Sequence, residues 1–305
     1  MPSITFTPDN RREESERNET ILETAQRTKV PLIHVCMGNG RCSTCRVQVV
    51  EGLANISPRT EQEQDIAERM KFGEDIRLSC QTKACGDLKI RRLVLDPEDV
   101  EVTSLILEGA VPGQVGMEKE VVILMADIRN FTAMAGFLLP YDAMHILNRY
   151  FYLMNEVISR YGGRIDNYMG DGLMAFFGVT DRKKDILIAV RAASEMLDVV
   201  KKRIRPYVKE HFGREFRIGI GMHYGLVVAG LIGARENKRH AIIGDSVNFA
   251  SRVESINKEL GTQFLISEDI YSRIYESIKV GRIHSLKIKG KTGLYPVYEV
   301  SGLVE

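Results

Sequence analysis

Cysteine spacing constrains this chain more than any other feature. All five cysteines fall in the first 85 of 305 residues: Cys36, Cys42, Cys45, Cys80 and Cys85. The first three follow C-x5-C-x2-C, and 34 further residues separate Cys45 from Cys80. An odd number, in a chain whose first residues (MPSITFTPDNRR) lack the apolar stretch of a signal peptide, argues against a disulfide framework. Three thiolates on one short loop and a fourth returning from a distant strand can surround a two-iron rhomb. In the loop Cys36-Met-Gly-Asn-Gly-Arg-Cys42-Ser-Thr-Cys45, Gly38 and Gly40 allow φ > 0 and let backbone N–H groups approach the bridging sulfides. Two plainer readings stand beside this one. The thiols can be free and structural, or they can hold zinc, although zinc normally takes paired C-x2-C knuckles and only one such pair is present.

The flanking sequence favours iron. Ile4–Thr7 alternates as a first strand, Glu19–Gln26 has the pattern of a short helix, and Arg46–Val50 is a strand leaving the loop. Arg77–Gln81 brings the last thiol. Residues 2–95 thus resemble a [2Fe–2S] ferredoxin of the adrenodoxin or bacterial type, whose first cysteine gap is five residues. The resemblance implies a β-grasp domain with Cys36, Cys42, Cys45 and Cys80 as the iron ligands. Cys85 stands outside the pattern and is expected to be a small buried hydrophobe. Helix Glu61–Arg69 is expected to present a solvated face.

The length suggests about two domains. Residues 96–120, DPEDVEVTSLILEGAVPGQVGMEKE, carry prolines and glycines around a short apolar patch, Leu105–Leu107, without a sustained heptad pattern. The expected division is a ferredoxin domain over 1–95, a linker over 96–118 and a second domain over 119–305. Lys and Arg total 42 against 41 Asp and Glu, 15 against 15 in residues 1–96 and 27 against 26 in the rest, so neither half has the basic excess of a nucleic-acid binder. No apolar run approaches the roughly 18 residues needed to cross a bilayer. A cytoplasmic chain without nucleic-acid or membrane partners is the expectation.

From Val121 the pattern becomes mixed α and β. VVILMADI is a buried strand ending in Asp127, followed by helices over about 133–161. GGRIDNYMGDGLMAFFG is a hairpin with its tight turn at Gly170-Asp171-Gly172, and a helix spans about 184–203. FRIGIGMHYGLVVAG has the look of a two-strand stretch. Ser246–Leu260 is amphipathic with Asp245 as its expected N-cap. The β-α-β-β-α-β order predicts an α+β fold, a ferredoxin-like palm with added elements.

Asp127 ends a central strand and Asp171 sits in the adjacent hairpin turn. Strands about 4.8 Å apart bring two such carboxylates to one sheet edge, where they repel unless a divalent cation lies between them. Taken singly, each is an ordinary helix cap or turn former. In Gly244-Asp-Ser-Val-Asn-Phe-Ala-Ser-Arg252, Asn248 and Arg252 are four apart and share a helix face. An amide and an arginine so placed are often a solvated or ion-paired feature, and Lys289 can equally be an edge-strand charge.

Together MADIRNFT, GDGLMAFFG and IIGDSVNFASR, in that order, resemble the catalytic domain of a class III nucleotidyl cyclase over about residues 118–300. The resemblance implies that Asp127 and Asp171, with the Ile128 carbonyl, hold two Mg²⁺ or Mn²⁺ ions. It further implies that Asn248 orients the ribose, that Arg252 stabilises charge on the α-phosphate and that Lys289 binds the terminal phosphates. In this family the carboxylates and the Asn/Arg/Lys set come from opposite subunits, so a head-to-tail homodimer with two composite sites is expected.

One departure concerns the base. Adenylyl cyclases usually place Lys three residues before the glycine of the Gly-Asp turn and Asp or Thr seven residues before the orienting Asn. Guanylyl cyclases place Glu and Cys there. This chain has Asn167 and Ala241, which fit neither set, although an amide can pair with either purine edge. The expectation is ATP in preference to GTP. A redox-responsive cyclase with an external electron donor is one reading of the two halves. A cluster domain that only scaffolds is a second, and a nucleotide-binding electron-transfer or signalling module with weak catalysis is a third. Gly219–Gly225 has the wrong spacing for a dinucleotide loop, and the six histidines show no metal-binding spacing.

Overall fold

The computed structural model describes residues 1–93, 98, 117–178, 180–233, 237, 239–287 and 293–304. The chain divides into two compact units, one of Met1–Met117 with Leu231–Arg239 and one of Glu118–Gly230 with His240–Glu305. The segment expected to be a linker lies outside the described residues, apart from Glu98 and the last residues, which begin a strand.

In the first unit, β1 (Ser3–Thr7), β2 (Arg11–Glu14), β3 (Arg46–Glu51), β4 (Ile76–Leu78) and β5 (Leu88–Arg92) form one sheet in the order β2-β1-β5-β3-β4. β1 runs parallel to β5 and the other pairs are antiparallel. Helix α1 (Ile21–Arg27) starts at Thr20, whose hydroxyl and main chain form a capping box with Glu23. Its apolar face sets Ile21 and Ala25 against Ile4, Phe6, Val47, Val49 and Ile90 of the sheet.

Helix α2 (Glu61–Met70) presents the expected solvated face and adds a buried one. It exposes Glu61, Asp65 and Glu68, but buries Ile66, Ala67 and, completely, Glu63. The Glu63 carboxylate accepts two 2.8 Å bonds from the Arg77 guanidinium and one of 2.7 Å from the Leu78 N–H. A buried charge is tolerated when a fork of donors replaces its water, and here the fork ties α2 to the strand that leads to Cys80. Cys85 also departs from expectation, because it is exposed. Ala84 bridges Ile56 and packs on the core, and alternation along extended backbone turns the next side chain outward.

The second unit is an eight-stranded sheet. Its central motif is β6 (Met117–Ile128), α4 (Pro140–Arg160), β7 (Arg164–Met169), β8 (Gly172–Gly178), α5 (Arg182–Val199) and β9 (Ile218–Ile232), with short α3 (Phe131–Ala135) following β6. This is the predicted βαββαβ order, in sheet order β9-β6-β8-β7. Beyond β9 lie β11 (Phe264–Ser267), β13 (Leu294–Leu303) and β12 (Ile278–Lys287), while β10 (Arg239–Ile243) pairs with β9 outside that path. α6 (Arg205–Phe212), α7 (Asp245–Leu260) and α8 (Glu268–Ile274) complete the unit. The run Val121–Ala126 is apolar without alternation because both faces of β6 are covered. Val122, Leu124 and Ala126 join the core built with α4 and α5, and Val121, Ile123 and Met125 meet Met174, Val227, Ile242 and Ala250 on the other side.

Three local expectations are corrected. FRIGIGMHYGLVVAG is one long strand, β9, with no turn inside it. Helix α5 passes through a π-helical turn, Val200–Ile204, into α6; Pro206 has no N–H for the preceding turn, and the ladder widens there. Gly244, not Asp245, occupies the N-cap of α7.

Candidate functional site

In the first unit the cysteine loop connects α1 to β3. Gly38 and Gly40 take φ of +85° and +63°, the left-handed region that glycine reaches without strain. That curl turns main-chain N–H groups of Asn39, Arg41 and Cys42 onto the Cys36 sulfur, and that of Gly40 onto Cys80. Thr44 Oγ1 lies 3.0 Å from Cys42 Sγ, and Cys45 Sγ lies 3.4 Å from Cys80 Sγ. The thiols form two pairs, each sharing a hydrogen bond. Donation from Cys42 is the chief cause that lowers Cys36 to about 5, and donation from Cys45 lowers Cys80 to about 7. The two donors, Cys42 and Cys45, are pushed up by the same bonds and by burial. Among the described residues no three His, Cys, Asp or Glu side chains converge on one ion. Two pairs of thiols ringed by N–H donors suit a two-iron cluster, in which each iron takes two thiolates, better than one zinc.

In the second unit sheet register brings the two acids together. The antiparallel pairing of β6 with β8 ends at Ala126↔Leu173, and β7 meets β8 at Met169↔Gly172 across the two-residue turn Gly170-Asp171. Asp127 is therefore level with Gly172, beside Asp171. A Cβ at Gly172 would lie 3.2 Å from Asp127 Oδ1, so the missing side chain leaves room at that carboxylate. Burial first, and then the charge of Asp171, raise Asp127 above the ordinary carboxylate value, while Arg129 and Lys258 oppose the rise. Two half-buried oxygen donors in mutual repulsion are a donor set suited to Mg²⁺ or Mn²⁺. Ile128, whose carbonyl is the expected third ligand, is buried at the end of β6.

The other predicted residues lie on separate elements. Asn248 and Arg252 are exposed on one face of α7, and among the described residues Arg252 makes no ion pair. Asn167 is half-buried on β7 opposite Met174, and Ala241 is buried on β10. Lys289 lies outside the described residues.

Sequence reasoning missed the residues behind the acids. Arg129 Nη2 donates to Glu254 Oε1 of α7 at 2.5 Å, and its Nη1 is 4.0 Å from Asp127 Oδ2. Burial raises Glu254 above the ordinary carboxylate value, and Arg129 is the first cause opposing that rise. The Tyr150 hydroxyl is fully buried, has no hydrogen-bond partner among the described residues, and lies within the field of Asp127, Asp171 and Glu254. The glycines of β9 explain the geometry. A Cβ at Gly219 would lie 1.4 Å from Arg129 Nη2, and one at Gly221 would lie 2.1 Å from the Glu254 main-chain nitrogen. Their spacing of two along a strand was the available signal, since it places both on one face.

Residues 114–300 match the family described as adenylate and guanylate cyclase catalytic domain, and residues 4–85 match the 2Fe-2S iron-sulfur cluster binding domain. The chain belongs to the adenylate and guanylate cyclase catalytic domain family and carries a 2Fe-2S cluster binding domain at its N-terminal side. It is similar to an adenylate cyclase of Anabaena cylindrica, 35% identical over 187 residues that cover 60% of this chain. Those residues are 37% of that relative, so the chain spans little more than a third of its length. Among solved structures it resembles the guanylyl cyclase Cya2, at 30% identity and a TM-score of 0.58, over 62% of this chain and 95% of that one. It also resembles the adenylyl cyclase CyaB from P. aeruginosa, at 30% identity and 0.56, over 61% and 95%. No helix among the described residues is long and apolar enough to cross a membrane.

Proposed function

We propose that this chain converts ATP to 3′,5′-cyclic AMP and pyrophosphate in a head-to-tail homodimer with two composite sites. The observation that carries the reading is the register that sets Asp127 beside Asp171 while Asn248 and Arg252 face outward from α7. Neither pair completes a site alone; a second copy, reversed, supplies what each lacks. Asp127 and Asp171, with the Ile128 carbonyl, would hold two divalent cations, which when bound favour ionisation of the 3′-hydroxyl and neutralise phosphate charge. The 3′-oxygen forms a bond to the α-phosphorus in line as the bond to the β-phosphate oxygen breaks. Asn248 orients the ribose for that attack, Arg252 offsets charge building on the α-phosphate, and Lys289 holds the departing pyrophosphate.

Asn167 supplies the polar contact to the base, while Ala241 contributes none. Discrimination is weaker than chemistry as a result, because a site without buried base-pairing groups has little to leave unpaired when the wrong purine binds. The likeness to the adenylate cyclase of Anabaena cylindrica supports ATP. Steady-state assays of the purified dimer with Mn²⁺ test this: a higher kcat/KM for ATP is expected, and a higher value for GTP overturns the choice of base. We further propose a ferredoxin domain over 1–95, a linker over 96–118 and a cyclase domain over 119–305. The cluster's oxidation state acts on the cyclase, since one electron changes the net charge of the cysteine loop. Equal cyclase rates in dithionite-reduced and air-oxidised protein would reduce the cluster unit to a scaffold.

A further inference from the structure

Arg129 follows the acid of β6 by two residues and has no role in the reaction as described above. Its guanidinium is nonetheless closely confined. Nη2 donates to Glu254 at 2.5 Å, and both side chains are mostly buried, 17% and 11% exposed. The main-chain N–H donates to the Arg217 carbonyl at 2.9 Å. Nε is buried without a partner among the described residues. The slot exists only because Gly219 has no side chain, and Glu254 reaches it only because Gly221 lets α7 close on β9. An arginine with an orphaned N–H is a costly way to fill a core, and its placement is informative for another reason. Nη1 stands 4.0 Å from Asp127 Oδ2, too far for a hydrogen bond and near enough for strong attraction.

We propose that Glu254 is a positioning residue that holds Arg129 back from Asp127, keeping the carboxylate open to a cation. The inference rests on the reading of Asp127 and Asp171 as cation ligands. Released from Glu254, the guanidinium needs only a small side-chain rotation to close on Asp127 as a bidentate ion pair. It would then occupy the oxygens that a cation requires. Held by Glu254, its charge is largely neutralised and Nη2 is committed. Glu254 projects from the helix that carries Asn248 and Arg252, so the restraint also joins the acid end of β6 to the helix that serves the opposite site.

The test is Mn²⁺ binding to the air-oxidised full-length dimer, followed by electron paramagnetic resonance without nucleotide. Glu254→Gln is expected to weaken Mn²⁺ binding about 10-fold, the low end for groups that support a ligand from behind. Adding Arg129→Ala to that variant is expected to restore most of the affinity, because the competitor is gone. Unchanged binding in Glu254→Gln, or a double variant no better than the single one, overturns the proposal; a merely structural ion pair predicts the latter. Glu254→Asp, which keeps the charge with a shorter reach, is expected to fall between wild type and Glu254→Gln and serves if the amide variant does not fold. Asp127→Ala is the separate control: unaltered Mn²⁺ binding there would overturn the cation-ligand reading itself.

Discussion

Three of the four paired thiols sit within a single loop, and the fourth arrives on the segment after β4, a strand hydrogen-bonded to β3 at the loop's exit. The acid site has no such economy of chain. Asp127 and Asp171 meet through the register of β6, β8 and β7, and the arginine behind them is held from 125 residues away. The thiols are presented by curled backbone and main-chain N–H groups, with the Thr44 and Gln81 side chains close beside them. The acids are presented by core packing, and their surroundings depend on what two glycines of β9 leave out. A loop-built site therefore fails by losing a ligand, whereas a sheet-built site also fails by losing fit at a distance.

The largest effect expected is on the acid site itself. Asp171→Ala should lower cyclic nucleotide formation by about 10³-fold, roughly 4 kcal/mol of transition-state stabilisation, while the cluster's visible absorbance stays as in wild type. Unchanged product yield would remove the acids from the mechanism. Next comes the support of the cysteine unit. Glu63→Ala strands Arg77 in the core and should destabilise the first unit by about 3–5 kcal/mol in urea denaturation. A negligible loss would show that the loop does not depend on α2, and the contrast would sharpen further.

Gly221→Ala tests fit at a distance. Its Cβ would collide with the main chain of Glu254, which should lower stability by about 1–3 kcal/mol and reduce cyclase rate without touching a proposed ligand. A wild-type rate would mean that the acid site tolerates looser packing than its register suggests. The smallest effect concerns Glu19. The Arg27 guanidinium bonds its carboxylate and holds it at about 2 against an ordinary 4.5. A carboxyl lowered on folding contributes stability above the unfolded value, and that contribution disappears as the pH falls toward the folded value. Glu19→Gln should cost about 1 kcal/mol near neutrality and flatten the acid limb of the stability profile. An unaltered limb would show that the ion pair adds nothing to the unit that carries the loop.

Where sequence reading succeeded, the governing signal was local. Cysteine spacing, the Gly170-Asp171 turn and the apolar run of β6 each act through neighbouring residues, and each appears in the structure where the pattern places it. Where it failed, a distant partner decided the outcome. Glu63 looks like one more charge on an acidic helix until Arg77 is found beneath it. The glycines of β9 look like part of a two-strand stretch until Arg129 and α7 are found in the space they leave. Cys85 looks like a core thiol until the bridge through Ala84 assigns the opposite face.

By itself the amino-acid order determined the chemistry on offer: four thiols with two-iron spacing, two acids at neighbouring strand ends, and an amide and an arginine one helical turn apart. Tertiary structure alone decided which charges meet. Arg129 is turned toward Glu254 and held short of Asp127 because β9 lacks side chains at two positions and α7 closes over them. Ligand spacing is set by bond lengths along the chain, and it can be read residue by residue. Whether a buried charge finds its partner depends on how elements far apart in sequence pack, which local spacing does not encode.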